Sequence, residues 1–247
     1  DEILSLKEKC HFFCGLSNYT ESPAGDVMSL EGIGEVMLDK RFAQISKDIL
    51  GEKVVYFGDG SLHCKPNRRV FHKDSRDDLE DPGSSSYPLY RIGVFLQEHV
   101  NYSGGIKFRS GSHKKVRFKR QYFKRFIKGK LNIRSFFNFG KIVNTKPRLG
   151  DVVIWNLRTD HSGGAVHLKF FPSLGLMPWM DGLIPDSMKL PEHDHRMAIF
   201  CTFAAPSKPT TKYMMNKIEN PKYKNFWTNC QFDRKAIQDK AKQSEIT

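Results

Sequence analysis

Residues 71–75, with the sequence Phe-His-Lys-Asp-Ser, combine two residue types that bind transition metals. His72 and Asp74 are two positions apart, so on an extended segment their side chains project to the same side. Two histidines and one carboxylate form the ligand set that holds non-haem Fe(II) and leaves coordination positions open. The pair supplies two of those three ligands, although an isolated His-x-Asp is more often a surface polar pair.

A third ligand is expected at the end of a predicted buried strand. Residues 150–156, GDVVIWN, read as a turn followed by that strand, and LRTDHSGG comes next. This order delivers His161 to the strand end, where it could meet the first two ligands across a barrel mouth. His167 is the alternative third ligand if the strand register is shifted. We expect five other histidines to be surface or core residues: His63, His99, His113, His193 and His195.

One arginine stands at the head of an apolar run. Arg196 precedes MAIF, and a planar guanidinium inside a dry barrel suits two-point capture of a carboxylate. Arg91 and Arg158 are the alternative anchors for such a group.

The elements that must position these residues are predicted to be mainly β. A turn-rich stretch over 1–28 and an amphipathic helix over about 30–50, ended by Gly51, precede a series of short strands. These strands are predicted at 53–57, 69–71, 90–96, 105–108, 136–143, 151–156, 166–171 and 197–203. Many short strands with turn residues between them favour an antiparallel sandwich or barrel.

Two insertions interrupt the strands. A basic insertion over about 113–134 contains ten Lys or Arg residues between Lys114 and Arg134 and no acidic residue. A proline-rich insertion follows over about 172–195, and loops of that length are more often lids or binding loops than simple connections. Near the first insertion, Lys107, Arg109 and Lys114 are expected to form a solvated rim.

Composition limits the other possibilities. The 247 residues are 39% hydrophobic, so a core can form, and one domain over 1–247 is the economical prediction. No apolar run is long enough to span a membrane, and no secretory signal is visible. Five cysteines are few and odd in number, so we expect buried thiols, no disulfide framework and a cytoplasmic protein.

Four motifs in this order resemble the phytanoyl-CoA dioxygenase-like branch of the Fe(II)/2-oxoglutarate-dependent oxygenases. They are the His-x-Asp pair, the run GGIKFRSGSH over 104–113, the Gly-Asp-hydrophobic-Trp run leading to a histidine, and the arginine strand. The resemblance covers roughly residues 50–205. It implies a double-stranded β-helix, also called a jelly roll or cupin-like fold, with flanking helices.

The resemblance also implies a site and a reaction. Fe(II) would be held by His72, Asp74 and His161, and Arg196 would pair with the distal carboxylate of 2-oxoglutarate. O2 is the third reactant, succinate and CO2 are released, and hydroxylation of a C–H bond is the expected outcome. The chain departs from the family pattern after the histidine, because Gly163 stands where a serine is usual. Aligning on the Ser-Gly pair instead would put Asp160 at the ligand position.

The basic insertion bears on the expected substrate. The net charge of +13 is concentrated there, which favours a small or carrier-linked anionic molecule. Nucleic acid is not the expected partner, because the jelly roll is not a usual DNA reader. The alternative function is a non-catalytic jelly-roll module that binds a polyanion, nucleic acid or a sulfated or phosphorylated glycan, through residues 114–134.

Overall fold

The computed structural model describes residues 1–16, 26–64, 70–75, 87–114, 141–193, 196–220 and 234–246. Its eight strands pair antiparallel in two sheets, as the sequence predicts. Most of the basic insertion lies outside the described residues, and so does Cys230.

The two central strands of the larger sheet are β3 (Leu89–Phe95) and β8 (Ala198–Ala204), each seven residues long. Strand β8 pairs with β3 over its whole length, and β3 pairs on its other side with β6 (Val152–Asn156). The free edge of β8 is covered by two short strands, β1 (Val55–Tyr56) and β2 (Ser61–His63). Every residue of β8 is buried, because both faces of this sheet are covered.

The smaller sheet has β4 (Gly104–Arg109) between β5 (Ile142–Asn144) and β7 (His161–Ala165). An isolated antiparallel bridge between His72 and His161 extends it by one short segment. The predicted strand at 166–171 is wrong, since the strand in this region is β7 and it begins at His161 itself. The prediction failed because Ser-Gly-Gly has a low intrinsic preference for strands.

Five α-helices flank the sheets in the described part of the chain: α1 (Glu2–Leu16), α2 (Gly34–Met37), α3 (Lys40–Leu50), α4 (Lys208–Glu219) and α5 (Arg234–Gln243). The prediction of an irregular N-terminus is wrong over α1. The predicted helix over 30–50 is interrupted before Lys40, where Asp39 is extended and its carboxylate accepts a hydrogen bond from the Arg41 backbone N–H. Asp39 thus caps a new helix instead of continuing the old one.

Two apolar layers hold these elements together. The outer face of the larger sheet packs against the N-terminal helices and adjoining turns, with Ile92, Ile199 and Phe203 among its buried residues. The inner layer, between the two sheets, is built from Phe95, Ile106, Trp155, Ala198 and Phe200. These rings leave no room for a side chain at Gly93 of β3, because a Cβ there would lie 2.6 Å from a Phe200 ring carbon.

A disulfide joins α1 to the segment after β2. Cys14 and Cys64 are bonded with their Cα atoms 5.5 Å apart, whereas Cys10 and Cys201 are buried thiols. The expectation of buried thiols alone is therefore wrong for this pair. The cross-link spans 50 residues, which in a chain-entropy estimate stabilises the fold by about 4 kcal/mol. Since disulfides persist mainly in oxidising compartments, the predicted cytoplasmic location loses its premise.

The described part of the proline-rich insertion packs on the outer face of the smaller sheet. The Asn144 amide donates to the Leu174 carbonyl, and farther along the insertion Asp181 forms an ion pair with Lys107 of β4. Beyond that ion pair the chain returns beside β4, where Ser103 and Glu192 form a bridge. The insertion is thus a cover for the back of this sheet. In the described residues no helix is long and apolar enough to cross a membrane.

Candidate metal centre

Backbone pairing brings the two predicted histidine ligands together. The His72 N–H donates to the His161 carbonyl at 2.9 Å, and the His161 N–H donates to the His72 carbonyl at 2.9 Å. Directly opposed residues on paired strands share a face, so both imidazoles project to the same side. Phe108 lies opposite His161 on β4 and contacts Trp155 in the inner layer, which shows that this side faces the larger sheet.

Asp74 reaches the same point from the end of its segment. Its backbone N–H donates to the Leu157 carbonyl at 3.1 Å, which holds it beside the end of β6. Its Oδ1 lies 3.8 Å from His72 Nε2, and its Oδ2 lies 3.6 Å from His161 Nε2. One atom from each of the three residues falls within 4.8 Å of the others, and within the described residues no other histidine, cysteine or carboxylate group does so.

Hydrogen bonds fix the tautomer of both imidazoles. His72 Nδ1 lies 3.1 Å from the Val70 carbonyl, and His161 Nδ1 lies 3.1 Å from the Thr159 carbonyl. A carbonyl can only accept, so each Nδ1 carries the proton and each Nε2 presents a lone pair. Metal-binding histidines typically have this arrangement, in which the distal N–H is held by a second group.

Electrostatics favour the metal-binding forms of Asp74 and His161. Burial alone would raise the pKa of Asp74, but His161, Arg91 and His72 outweigh it and hold that pKa below its ordinary value. Burial lowers the pKa of His161, which favours its neutral form. A carboxylate and a neutral imidazole are the states in which these groups coordinate a metal.

The residues fit a divalent iron ion. Asp74 Oδ2 is buried and accepts no hydrogen bond from the residues that the structure describes, so a carboxylate oxygen faces His161 with lone pairs that those residues do not use. Two nitrogens and one oxygen from three residues match the ligand set of non-haem Fe(II) sites. The side chain of His72 is 27% exposed and that of His161 8%, so solvent reaches the group more readily at His72 than at His161.

Two of the three candidate arginines line the space between the sheets. Arg91 lies opposite both Trp155 and Thr202, and its Nη1 is 3.3 Å from the Asp59 carboxylate. Arg196 is buried two residues before the start of β8, with its guanidinium carbon 5.7 Å from the centre of the Phe200 ring.

The third arginine lies elsewhere. Arg158 is buried just beyond the end of β6, with its guanidinium carbon 4.9 Å from the centre of the Tyr87 ring. Of the candidates, Arg91 acts electrostatically on Asp74, whereas Arg196 acts on His99.

The alternative third ligands point elsewhere. Asp160 lies opposite the β4 residue Arg109 on the outer face and its Oδ2 is 3.3 Å from Arg109 Nη1. His167 is fully buried near His99. It lies two residues beyond the end of β7, whereas His161 is the first residue of that strand. Ser162 pairs with Lys107, so it also projects away from the triad.

Several buried charges around the site are not predictable from the sequence. Asp59 holds Arg91 and accepts hydrogen bonds from the backbone and hydroxyl of Thr202, yet no local pattern marks a residue that acts across such sequence separations. The expected solvated rim is wrong for Lys107, which is fully buried with its Nζ 2.6 Å from Asp181. Its partner comes from the distant insertion, so the strand sequence could not reveal the burial.

Comparison with solved structures finds the same fold. The chain superposes on EctD from S. alaskensis, solved with 2-oxoglutarate and 5-hydroxyectoine, with a TM-score of 0.52 and 15% identity over 83% of this chain and 68% of EctD. For SnoN, a non-haem α-ketoglutarate-dependent epimerase from nogalamycin biosynthesis, the TM-score is 0.51 with 16% identity over 83% of this chain and 74% of SnoN. For EvdMO1 the TM-score is 0.54 at 15% identity, and the match covers 84% of this chain but 45% of EvdMO1.

No protein-family model and no curated protein sequence matches the chain. Similarity at this level of identity establishes a shared fold, and the predicted double-stranded β-helix with flanking helices is confirmed. The reaction must be argued from the site itself.

Proposed function

We propose that the chain is an Fe(II)/2-oxoglutarate-dependent dioxygenase of the phytanoyl-CoA dioxygenase-like branch. The observation that carries this proposal is the meeting of His72, Asp74 and His161 within 4.8 Å, with both Nε2 lone pairs turned towards one carboxylate. Solved neighbours of the same fold include EctD with bound Fe and EctD with 2-oxoglutarate. Bound Fe(II), with 2-oxoglutarate and O2, supplies an oxidant for C–H hydroxylation as 2-oxoglutarate is converted to succinate and CO2.

The residues of the chain have separate tasks in that reaction. His72, Asp74 and His161 would hold the metal and would leave coordination positions for the reactants. The Trp155 indole N–H is buried without an acceptor among the described residues, so a ligand carboxylate between the sheets would satisfy it. The inner layer around Phe95 and Phe200 excludes water from this space.

Arg196 is our first candidate for the distal carboxylate of 2-oxoglutarate. It faces the inner layer from the end opposite the triad, as a co-substrate that extends inward from the metal requires. Arg91 is the second candidate, because the Asp59 carboxylate already compensates its charge. Arg158 is the third, since it lies beyond the strand end and beside the Tyr87 ring.

For the substrate we propose a small or carrier-linked anionic molecule that is hydroxylated. The support is the net charge of +13 and its concentration in residues 114–134. SnoN is an epimerase with this fold, so product analysis must accompany any assay for succinate. The alternative is a metal-free module that binds a polyanion. No contact among the described residues supports it.

Anaerobic calorimetry tests the proposal. Binding of 2-oxoglutarate to the wild-type chain should require Fe(II), and His72→Ala should abolish both metal-dependent binding and succinate formation. A wild-type chain that binds 2-oxoglutarate equally with and without Fe(II), or not at all, would contradict the function. A steeply salt-dependent affinity for nucleic acid or a sulfated glycan that survives His72→Ala with Asp74→Ala would support the alternative.

A further inference from the structure

The outer face of the smaller sheet carries the chain neighbours of both histidine ligands. Side chains alternate between the two faces of a strand, so Phe71 and Asp160 project away from the metal side when His72 and His161 project towards it. On β4, Phe108 lies opposite His161 on the inner face, and the next residue, Arg109, lies on the outer face.

Arg109 joins these two neighbours. Its Nη1 lies 3.3 Å from Asp160 Oδ2, and its guanidinium carbon lies 4.8 Å from the centre of the Phe71 ring. Its backbone N–H also donates to the Asp160 carbonyl at 2.9 Å. One guanidinium therefore contacts the residue that precedes each histidine, and those two residues belong to segments far apart in the chain.

The proline-rich insertion closes over this contact. Met177 Sδ lies 3.8 Å from Arg109 Nη2, and the Arg109 side chain is 21% exposed while that of Asp160 is 9% exposed. Partial removal from water strengthens the ion pair and the stacking on Phe71 relative to a solvent-exposed arrangement.

We propose that Arg109 is a positioning residue of the metal centre, which holds the His72 and His161 segments in register from the back of the sheet. The inference rests on the proposed metal role of the two histidines. Removing Arg109 leaves the three ligands in place chemically but frees the two short segments to shift against each other. Metal affinity is sensitive to sub-ångström changes in ligand position, so it should report such a shift.

The chain offers a matched control on the same strand and face. Lys107 is two residues from Arg109, is fully buried and forms an ion pair with Asp181 of the same insertion, with Nζ to Oδ distances of 2.6 and 2.7 Å. Both ion pairs join β4 to a partner on the outer face of the sheet. Lys107 pairs with Asp181 of the insertion, whereas Arg109 pairs with Asp160, the residue before His161. The double variant Lys107→Met/Asp181→Asn removes the control pair without leaving an isolated charge.

The test compares metal affinity with stability. Mn(II) affinity is measured by calorimetry, ligand geometry by the visible absorption spectrum of the Co(II) form, and stability by thermal unfolding without metal. We expect Arg109→Met/Asp160→Asn to weaken Mn(II) binding about tenfold and to change the Co(II) spectrum, in line with other groups that orient metal ligands. The control double variant should lose thermal stability but keep its Mn(II) affinity within about twofold.

Two further single variants keep the inference testable if the double variant folds poorly. Phe71→Leu removes the ring under the guanidinium without changing a charge, and Arg109→Lys keeps the charge but loses the planar contact. Both should weaken Mn(II) binding by a smaller factor in the same direction. Unchanged Mn(II) affinity in all Arg109 and Phe71 variants, or an equal loss in the control, would overturn the positioning role. A wild-type chain that binds no metal would overturn the proposed function as well.

Discussion

Two clusters of histidines lie at opposite ends of the space between the sheets, and they differ in what faces the imidazoles. At one end His72 and His161 meet the Asp74 carboxylate, with each Nδ1 hydrogen-bonded to a backbone carbonyl. At the other end His99 and His167 are fully buried, and the charges that act on them are cationic: Arg196 for His99, and Lys146 and Lys107 for His167.

Histidine side chains thus have different surroundings at the two ends: at one end they face a carboxylate, and at the other, in the described part of the chain, they are buried without one. Burial lowers the pKa of His99 to about 4, and Arg196, His193 and His167 add to the effect, so this imidazole remains neutral in the folded protein. No carboxylate takes part in that cluster among the described residues, so it lacks the mixed ligand set of the triad. A histidine becomes a candidate ligand through its partners, and burial alone does not make it one.

The largest expected difference between the clusters is in metal binding. His161→Ala should weaken Mn(II) or Fe(II) binding by about 100-fold or more, since it removes a ligand and not merely a supporting group. His167→Ala should leave metal affinity unchanged while it lowers stability. Calorimetric titration of both variants measures this, and equal losses in the two would remove the distinction between the clusters.

The second difference concerns the arginine beside the second cluster, Arg196. Arg196→Met should weaken 2-oxoglutarate binding about 10- to 100-fold, the cost of a lost charged hydrogen bond, with Mn(II) affinity unchanged. Arg91→Met is the comparison. It should mainly destabilise the fold, because the buried Asp59 loses its counter-charge. If Arg91→Met abolishes 2-oxoglutarate binding and Arg196→Met does not, the anchor is Arg91.

The second cluster should also make stability depend on pH. Burial lowers the pKa of both His99 and His167 to about 4, below the value near 6.5 of an unfolded chain. The unfolded chain therefore takes up protons first, so stability is full above about pH 6.5 and declines as the pH falls towards 4. We expect a loss of about 2 kcal/mol per histidine at pH 5.

Urea unfolding at pH 7.5 and pH 5 measures this decline. His99→Asn should reduce the difference between the two pH values, whereas His11→Gln, on the exposed face of α1, should not change it. A pH difference that is the same in His99→Asn as in the wild-type chain would show that His99 is not protonated on unfolding.

The smallest effect is expected at the rim of the second cluster. His193 stacks on Tyr102 with ring centres 3.9 Å apart, and its Nε2 lies 2.6 Å from the Glu98 carbonyl. His193→Gln should lower the free energy of unfolding by about 1 kcal/mol, the value of one hydrogen bond near solvent, and leave metal affinity unchanged. A larger loss would mean that the rim contributes to the buried cluster.

The sequence by itself determined the antiparallel β class and the identity of the candidate ligands. Side-chain alternation puts His72 and Asp74 on one face, and a buried strand ending before His161 supplies the third residue. These are local properties of short segments, so the chain reveals them directly. The order of the motifs then suggested the double-stranded β-helix, which the sheet topology confirms.

Only the tertiary structure decided how the ligands are selected and supported. The placement of His161 beside His72 and Asp74, with Asp160 on the other face, follows from strand register, which shifts every side chain to the other face when it slips by one residue. The Asp59–Arg91 and Lys107–Asp181 pairs and the Cys14–Cys64 disulfide each join residues at least 32 positions apart. Such contacts depend on how the two sheets and the insertion pack, and no local pattern encodes that.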